Sequence, residues 1–337
     1  MRLSESLRRG IMKAYPGYLM NTFKLTKRRN VLFFEDIIAN YIKKCEESGH
    51  GNELKDAAKT WARMSMENFT PDIFRNIPKS VGFALAEKVW QNIGLVEKLS
   101  GAADDDTITL RTKNESITRI IGKNKFMEGI YEGFLEFAYR SDIETLEAKQ
   151  GRKTSIYRFR RLDTHRPAVS AKTRKDYERM NISVSEESDH GLKTLIHSNI
   201  FQLREGNRIY FRGKPIMVLE NTLFHLIGKS DICMGYVSGI SQSFFGKIIT
   251  RDSGDHEKLV MLKTIIQAMG WGQVKIAISG RNISLDISNP PYGLQKYPEN
   301  YSFLSETMLG FMCLIHKNIR IARIKQESRL LKISYTF

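Results

Sequence analysis

Cysteine is scarce in this sequence, and its placement excludes a common class of metal site. The 337 residues include only three cysteines, Cys45, Cys233 and Cys313, and no two of them form a Cys-x-x-Cys pair. Zinc sites built from cysteines need such closely spaced ligands. An odd number of cysteines without a pattern is typical of a reducing compartment. We therefore expect no bound metal and a cytoplasmic location.

Long apolar runs are also missing. No stretch of about 18 uncharged apolar residues occurs, so the sequence predicts no membrane-spanning helix. The first residues, MRLSESLRRGIMKAYPG, are basic and lack an apolar core. We therefore expect no secretory signal peptide.

Recognisable catalytic motifs are absent as well. The segment LIGKSD contains Gly-Lys-Ser, but Leu223 stands where the phosphate-binding loop of a nucleotide hydrolase needs a glycine. No G-x-S-x-G, H-E-x-x-H or G-x-G-x-x-G motif occurs. The three aspartates 104–106 are expected to form an exposed turn rather than a cation site. These observations favour a protein without catalytic activity or cofactor, although a missing motif leaves catalysis open.

Positive charge is abundant. The formal net charge is +16 and the sequence pI is about 9.6. A field of this sign attracts anionic partners such as nucleic acid, an anionic membrane surface or an acidic protein. Charge dispersed over solvated faces is the alternative explanation, because few clusters are dense. The candidate clusters are KLTKRR at 24–29, RFRRLDTHR at 158–166 and the alternating RIARIKQESRLLK at 320–332.

The chain contains an internal repeat, with a shift of about 176 to 185 positions. Residues 32–42, LFFEDIIANYI, align with residues 217–227, MVLENTLFHLI, and both show apolar residues at helical spacing after an acidic residue. A turn-bounded, strand-like stretch precedes each copy. The helices predicted over 81–94 and 258–270 both end on glycine, which favours a left-handed helix terminus at Gly94 and Gly270.

The second part of each copy repeats in the same way. Segments 106–114 and 282–289 alternate with period two, end on asparagine and predict strands. A helix follows from Phe126 in one copy and from Phe303 in the other, each with a central glycine, Gly133 or Gly310. Such a glycine costs about 1 kcal/mol relative to alanine, so we expect it to allow close packing on another element. Each copy closes with a predicted β-hairpin, IETLEAKQGRKTSIYRFRR or IRIARIKQESRLLKISYTF.

These patterns predict an α+β fold of two tandem repeats, each an antiparallel sheet packed with helices. The first repeat is placed at 1–161, a charged, serine-rich linker at 162–192 and the second repeat at 193–337. A short helix is expected within the linker at 173–179. Because the repeats match, we expect them to form a pseudo-dimer within one chain.

The order of elements resembles the 4-vinyl reductase (4VR) domain family, which is related to the TRAPP vesicle-tethering subunits. The segment RGKPIMVLENTLFHLIGKSDICMGYVSGISQSFFGKII is similar to the family's opening, with Tyr236, Gly239 and Gly246 on its second helix. The closing segments LDISNPPYG to ISYTF and LEAKQGRKTSIYRFR are similar to its terminal region. Many members carry cysteines in the terminal hairpin. Here Ala148, Lys149, Tyr157, Ile324, Lys325 and Ile333 occupy that region, so metal binding is not expected.

The resemblance implies a small hydrophobic ligand held between helices and sheet, often in a sensor protein, whereas TRAPP relatives use the fold as an assembly surface. Pockets that adapt to a ligand are often lined by methionine and aromatic residues. The repeated helix supplies the candidate pocket residues Met127, Phe134, Phe137, Met308, Phe311 and Met312. An ordinary hydrophobic core is the alternative explanation for these side chains.

Two functions are the main alternatives from the sequence, and a third, an enzyme of tetrapyrrole or related metabolism, rests on the resemblance to the family alone. The first is a non-enzymatic, cytoplasmic regulatory or sensor protein that binds a small hydrophobic ligand. The second is a basic interaction module that binds nucleic acid, a nucleoprotein complex or another protein partner. Its candidate contacts are Lys27, Arg28, Arg29, Arg158, Arg160 and Arg161.

Overall fold

The structure is a computed structural model. It describes residues 12–15, 18–21, 28–69, 78–167, 192–204, 208–220, 222–249, 253–291, 301–327 and 329–337. Within these ranges the chain is a mixed α/β protein with three antiparallel sheets. The helix expected at 173–179 and Lys27 lie outside the described residues.

The strands are β1 (Met12–Tyr15), β2 (Tyr18–Asn21), β3 (Arg28–Phe34), β4 (Lys98–Asp104), β5 (Thr107–Lys113), β6 (Ile143–Gln150), β7 (Thr154–Arg161), β8 (Phe201–Arg204), β9 (Arg208–Phe211), β10 (Lys214–Glu220), β11 (Gln273–Ser279), β12 (Asn282–Ser288), β13 (Arg320–Glu327) and β14 (Leu330–Thr336). The helices are α1 (Glu35–Glu47), α2 (Gly51–Phe69), α3 (Lys79–Asn92), α4 (Thr118–Ile121), α5 (Lys125–Tyr139), α6 (Leu192–His197), α7 (Thr222–Ser230), α8 (Val237–Phe245), α9 (Asp255–Ala268) and α10 (Ser302–Met312). A short 3-10 helix at Met234–Tyr236 precedes α8.

The chain divides into two compact units. The first consists chiefly of Ile38–Tyr177 and the second chiefly of Gly10–Ile37 and Ile209–Phe337. The sequence-based boundary at 161 assigns β1, β2 and β3 to the first repeat, whereas these strands belong to the second compact unit. The reason is a non-local strand pair, since β3 is hydrogen-bonded to β10.

The first sheet contains six strands in the order β1-β2-β3-β10-β9-β8. At its centre, Phe33 pairs with Met217 and Leu32 pairs with Val218. In the sequence repeat, Leu32 corresponds to Met217 and Phe33 to Val218. The register is therefore unchanged when the two strands are exchanged, so a local two-fold axis relates β3 and β10.

The other two sheets share one topology. Their strand orders are β4-β5-β7-β6 and β11-β12-β14-β13. The edge strand of each hairpin carries a register shift, between Thr145 and Glu147 in β6 and between Ile321 and Arg323 in β13. Both hairpins predicted from the sequence are confirmed, and the shared irregularity gives an unambiguous alignment of the two sheets.

The predicted strand ends at the two asparagines are also confirmed. Asn114 and Asn289 have positive φ values of 49° and 53°. Each donates its backbone N–H to a carbonyl in the hairpin turn, Lys153 or Arg329, at 2.8 Å. Asparagine tolerates this left-handed conformation better than most residues. The chain thereby leaves the sheet at the same point in both copies.

The glycines that end α3 and α9 have the predicted conformation. Gly94 and Gly270 both have φ of +76°. In each case the following N–H reaches back five residues, from Leu95 to Trp90 and from Trp271 to Ile266. This is the Schellman arrangement, which satisfies carbonyls that the helix end would leave unpaired.

The central glycines of α5 and α10 allow close helix packing, as predicted. A Cβ on Gly133 would lie 2.2 Å from the Lys59 carbonyl oxygen of α2. A Cβ on Gly310 would lie 2.3 Å from the Ser238 carbonyl oxygen of α8. Real Cβ atoms do not approach backbone oxygens this closely, so only glycine fits at either position.

Strand β3 is anchored in the core of the second unit. The Trp271 indole donates a hydrogen bond of 2.9 Å to the Leu32 carbonyl, and the Leu32 N–H donates to Met269 at 2.8 Å. The Phe33 ring stacks on Trp271 and on Phe224, with centroid distances of 5.0 and 4.8 Å. Burial of the Phe33 ring against these aromatic side chains stabilises the strand in this position.

None of the described helices has both the length and the apolar character needed to cross a lipid bilayer.

Candidate ligand site in the first unit

The six candidate pocket residues are all buried. Met127, Phe134 and Phe137 lie on α5, and Met308, Phe311 and Met312 lie on α10, with exposed fractions between 0% and 6%. The Phe134 ring lies 5.0 Å from Trp90, and the Phe311 ring lies 4.9 Å from Phe245, as centroid distances. Each trio therefore lies in the interior of its own unit. Their role in holding a ligand remains a prediction.

Helix α3 covers the aromatic cluster of the first unit. Its inner face carries Phe83 and Trp90, which are each 6% exposed. Trp90 contacts both Tyr131 and Phe134, with centroids 5.4 and 5.0 Å apart. Phe83 lies against Gly101 of β4, where a Cβ would come within 2.7 Å of the ring. The helix is thus fitted onto the sheet through aromatic side chains.

The outer face of α3 is apolar as well. Val81, Leu85 and Val89 follow one another at four-residue spacing and are 45%, 38% and 36% exposed. A helix buried on one face ordinarily presents polar residues on the other. Because this stripe is apolar, turning α3 about its axis exchanges part of one apolar surface for another. The free-energy difference between such positions is smaller than for an amphipathic helix.

A buried carboxylate lies beneath this cluster. Glu115 is 2% exposed and accepts hydrogen bonds from four hydroxyl groups, two on each oxygen. Tyr131 and Tyr157 donate at 2.8 Å, Thr118 donates at 2.6 Å and Thr112 donates as well. No ion pair joins Glu115 to a basic side chain within the described part of the chain. Four hydroxyl donors therefore stabilise the carboxylate in place of a cation.

The network continues to the start of α5. The Gln150 amide donates to the Tyr157 hydroxyl at 3.0 Å and to the Asn124 carbonyl at 2.8 Å. Asn124 is the N-cap of α5, and its side chain accepts from the Met127 N–H at 2.9 Å. This cap satisfies one unpaired donor of the helix and fixes where Tyr131 enters the core.

The two tyrosines are held in the neutral form. Burial raises the pKa of Tyr131 and Tyr157 well above the usual range, and the neighbouring Glu115 carboxylate raises both further. Each hydroxyl donates to Glu115, and its oxygen retains acceptor capacity. In Tyr157 the Gln150 amide uses part of that capacity. The network can therefore accept a hydrogen bond more readily than it can donate one.

The second unit lacks this network. At the corresponding positions, Ile287 replaces Thr112, Pro290 replaces Glu115, Met308 replaces Tyr131 and Ile333 replaces Tyr157. Ile287, Met308 and Ile333 are each 0% exposed. The same fold is therefore built once with a polar interior and once with an apolar one. Stability of the fold does not by itself require the polar group.

A second charged cluster in the first unit joins α2 to α5. The Lys55 ammonium lies 2.7 Å from Glu132, and the Lys59 ammonium lies 2.8 Å from Glu136 and 3.2 Å from Glu132. Thr145 donates to Glu132 through its backbone N–H and its hydroxyl, at 2.9 and 2.6 Å. Burial acts against the charged form, but Lys55 and Thr145 outweigh it and lower the pKa of Glu132. These charges neutralise one another, so we assign the cluster to helix packing.

The candidate basic contacts of the first unit are exposed, but two of them are ion-paired. Arg160 lies 2.7 Å from Glu144, and Arg161 lies 2.8 Å from Asp106. Arg158 is exposed on the same strand and pairs in register with Glu147. The strand pairings of Arg28 and Arg29 with β2 are described, but their side chains are not. Nucleic-acid binding by these residues stays a prediction.

No group of three or more histidine, cysteine, aspartate or glutamate residues is placed to hold a metal ion within the described ranges. The aspartates at 104–106 form the exposed β4–β5 turn, with Asp105 at a φ of 44°. This agrees with the turn expected from the sequence.

Sequence patterns did not reveal the Glu115 network. Its members come from β5, the following loop, α4, α5 and β7, so only the fold brings them together. One available signal was Tyr131, a polar-tipped residue in the buried stripe that also contains Met127 and Phe134. Another was Glu115 itself, a charge directly after the left-handed Asn114.

Comparison of the chain with protein-family models, with curated proteins and with solved structures finds no significant match.

Proposed function

We propose that the protein is a non-enzymatic regulatory or sensor protein that binds a small hydrophobic ligand in its first unit. The observation that carries the proposal is the difference between the two units at one place. The first unit retains Glu115 and its hydroxyl donors at the end of an aromatic cluster, and the second fills the corresponding space with apolar side chains.

A buried polar group of this kind is weak as a source of stability. Replacing such a group by well-packed apolar residues is often neutral or stabilising. The second unit contains such a replacement. Retention of the network in the first unit is therefore better explained by recognition than by folding.

The chemistry of the site defines a ligand class. The rings of Phe83, Trp90 and Phe134 suit an apolar body inserted between α3 and α5. The tyrosine oxygens suit a hydrogen-bond donor, and the Glu115 carboxylate beside them disfavours a second negative charge, so the polar end of the ligand is a hydroxyl or an ammonium group rather than a carboxylate. Helix α3 is the element that would move, because both of its faces are apolar.

As part of the same proposal, we interpret the repeated architecture as a duplicated domain of the 4VR or TRAPP-like kind. Equal strand orders, equal register shifts and the two-fold register of β3 and β10 fit a duplicated domain arranged as a pseudo-dimer. Duplication gives one copy the freedom to lose its ligand site while the other keeps it.

The ligand class is tested with three probes that share a dodecyl chain: dodecylamine, dodecanol and dodecanoate, each below its micelle concentration. The measurements use a Trp61→Phe background, so that Trp90 reports on the site and Trp271 in the second unit serves as the internal control. In this background we expect the amine and the alcohol to change the tryptophan fluorescence of the parent protein and of W271F, with no change in W90F. The dodecanoate should bind at least about tenfold more weakly, since it places a second negative charge beside Glu115.

A matched pair of variants locates the site. Phe134→Trp and Phe311→Trp enlarge the corresponding residue of α5 and α10. We expect only the first to weaken probe binding, because it enlarges a side chain within the proposed site beneath α3. If wild type and E115Q each bind the three probes with equal affinity, the proposed ligand class is contradicted. A fluorescence change that survives in W90F would contradict the proposed location.

A further inference from the structure

The outer face of the second four-stranded sheet carries arginines without acidic partners. Arg320 and Arg323 are exposed on the edge strand β13. In the register of the sheet they lie opposite Thr336 and Ser334 of β14. Among the residues that the structure describes, no carboxylate forms an ion pair with either arginine.

The equivalent four-stranded sheet of the first unit, β4-β5-β7-β6, shows that the fold does not require this charge. At the corresponding positions of β6 stand Glu144 and Glu147, which lie opposite Arg160 and Arg158 of β7. Glu144 and Arg160 form an ion pair of 2.7 Å. The arginine charges of the β6–β7 hairpin are thus balanced by glutamates of the same hairpin.

In the sheet β11-β12-β14-β13, both residues of each of these cross-strand pairs differ from those of the first unit. Arginines replace the two glutamates, and Ser334 and Thr336 replace the two arginines. The positive charge has moved to the edge strand and has lost its counter-charges. Of two structurally equivalent surfaces, one has its arginine charge balanced by glutamates, and the other presents two arginines that form no ion pair within the described ranges.

Small polar residues surround the two arginines. Ser284 and Asn282 of β12 are paired with Ser334 and Thr336, and these four side chains offer hydroxyl and amide groups beside the charge. Alternate residues on one face of a strand are about 7 Å apart, so the two arginines can contact successive phosphates of an extended chain. The charged residues at the other end are compensated, since Glu327 pairs with Lys325 and Lys332.

We infer that this face, defined by Arg320, Arg323, Ser334 and Thr336, binds the phosphate backbone of single-stranded nucleic acid. A flat sheet face cannot enter the major groove of a duplex, which accepts a helix or a two-stranded ribbon. A single strand can lie along β13. The face carries no aromatic side chain in the described ranges, so bases find no stacking platform and binding is independent of sequence.

The surface is tested by fluorescence anisotropy with a short labelled single-stranded oligonucleotide of mixed sequence. Arg320→Gln with Arg323→Gln removes the uncompensated pair. Arg158→Gln with Arg160→Gln is the matched control, because it removes the same net charge from the equivalent hairpin, β6–β7, of the first unit. We expect the first pair to weaken binding about tenfold or more and the control to change it less than about twofold.

The salt dependence gives an independent readout. Each phosphate contact to a single strand contributes about 0.7 to the slope of log affinity against log salt, so loss of two contacts should lower the slope by about 1.4. Equal losses in both double variants would overturn the inference, because they would reflect only the overall charge. Tighter binding to a duplex of the same sequence, binding only to phosphatidylserine vesicles, or no binding by the wild type would also overturn it. F134W should leave oligonucleotide binding unchanged, which separates this surface from the ligand site.

Discussion

Substitution of Gly133 by alanine measures how closely α5 and α2 are packed. An added Cβ would lie 2.2 Å from the Lys59 carbonyl oxygen and 3.0 Å from the Ala62 Cβ. The backbone oxygen cannot move aside as a flexible side chain would. The two helices must therefore separate by about 1 Å, which forfeits a quarter to a half of the dispersion energy of the atoms in contact.

The magnitude follows from two opposing effects. Overpacking of a close contact costs about 1–3 kcal/mol and occasionally more. Alanine recovers about 1 kcal/mol of helix propensity relative to glycine. Separation of the helices also lengthens the ion pairs of Lys59 with Glu132 and Glu136, which favours the upper end of the range. We expect Gly133→Ala to lower the free energy of unfolding by about 2 kcal/mol.

The chain offers a matched control for this change. Gly82 lies within α3, and a Cβ placed there meets nothing within 4 Å. Gly82→Ala should therefore raise stability by up to about 1 kcal/mol, the opposite sign. Gly310→Ala and Gly239→Ala form the corresponding pair in the second unit, since only the Gly310 position is blocked, by the Ser238 carbonyl at 2.3 Å.

Urea denaturation followed by circular dichroism and by tryptophan fluorescence measures all four variants. The two signals also show whether the units unfold together, which decides whether one free energy describes the protein. Equal stability of G133A and G82A, or a gain in both, would refute the close packing of α5 on α2.

Three further predictions concern the polar interior of the first unit. Glu115→Ala should lower the free energy of unfolding by about 3 kcal/mol in urea denaturation, because it leaves buried hydroxyl donors without an acceptor; an unchanged midpoint would show that water replaces the carboxylate. The folded-state pKa of Glu132 is lowered, so its contribution to the free energy of unfolding is present above its unfolded pKa and is lost as the pH falls through the folded value. E132Q should therefore reduce the loss of the free energy of unfolding at acid pH. An equal loss in E132Q and wild type would contradict the assignment. The folded-state pKa values of Tyr131 and Tyr157 are raised, so their contribution to the free energy of unfolding is present below the unfolded pKa and is lost as the pH rises through the folded pKa. In ultraviolet difference spectra, both tyrosines should ionise only when the first unit unfolds. Reversible ionisation of all tyrosines near pH 10 would contradict this prediction.

Local sequence patterns predicted many of the elements and several of their ends, but not the helix Gly51–Phe69 or the strand Lys98–Asp104. Gly94, Gly270, Asn114 and Asn289 specify backbone conformations that few other residues adopt, and the structure has those conformations. The hairpins followed from alternation around polar turns. Such features depend on neighbouring residues, which is why the sequence reveals them.

Features that depend on distant residues were not predicted. The pairing of β3 with β10 joins segments about 185 positions apart, and no local pattern at Leu32 or Phe33 indicates which strand is the partner. The α2–α5 ion pairs left a visible trace, since acidic residues recur every fourth position on α5 and basic residues do so on α2. Their burial follows only from the glycines that bring the helices together.

The six candidate pocket residues illustrate a further limit. Apolar spacing identified them as interior, and they are interior. The same spacing cannot distinguish a binding site from a filled core, because both need apolar side chains on one helix face. The distinguishing residues are the polar ones, Glu115, Tyr131 and Tyr157, which come together only in the fold.

The most direct test of the central proposal is native mass spectrometry of wild type, F134W and F311W after exposure to a hydrophobic cell extract, beside the denatured masses. We expect wild type and F311W to carry an additional small-molecule mass that disappears on denaturation, and F134W to carry little of it. Loss of that mass in F311W with retention in F134W would place the site in the other unit. Absence of any bound mass in all three proteins would contradict ligand binding as the function.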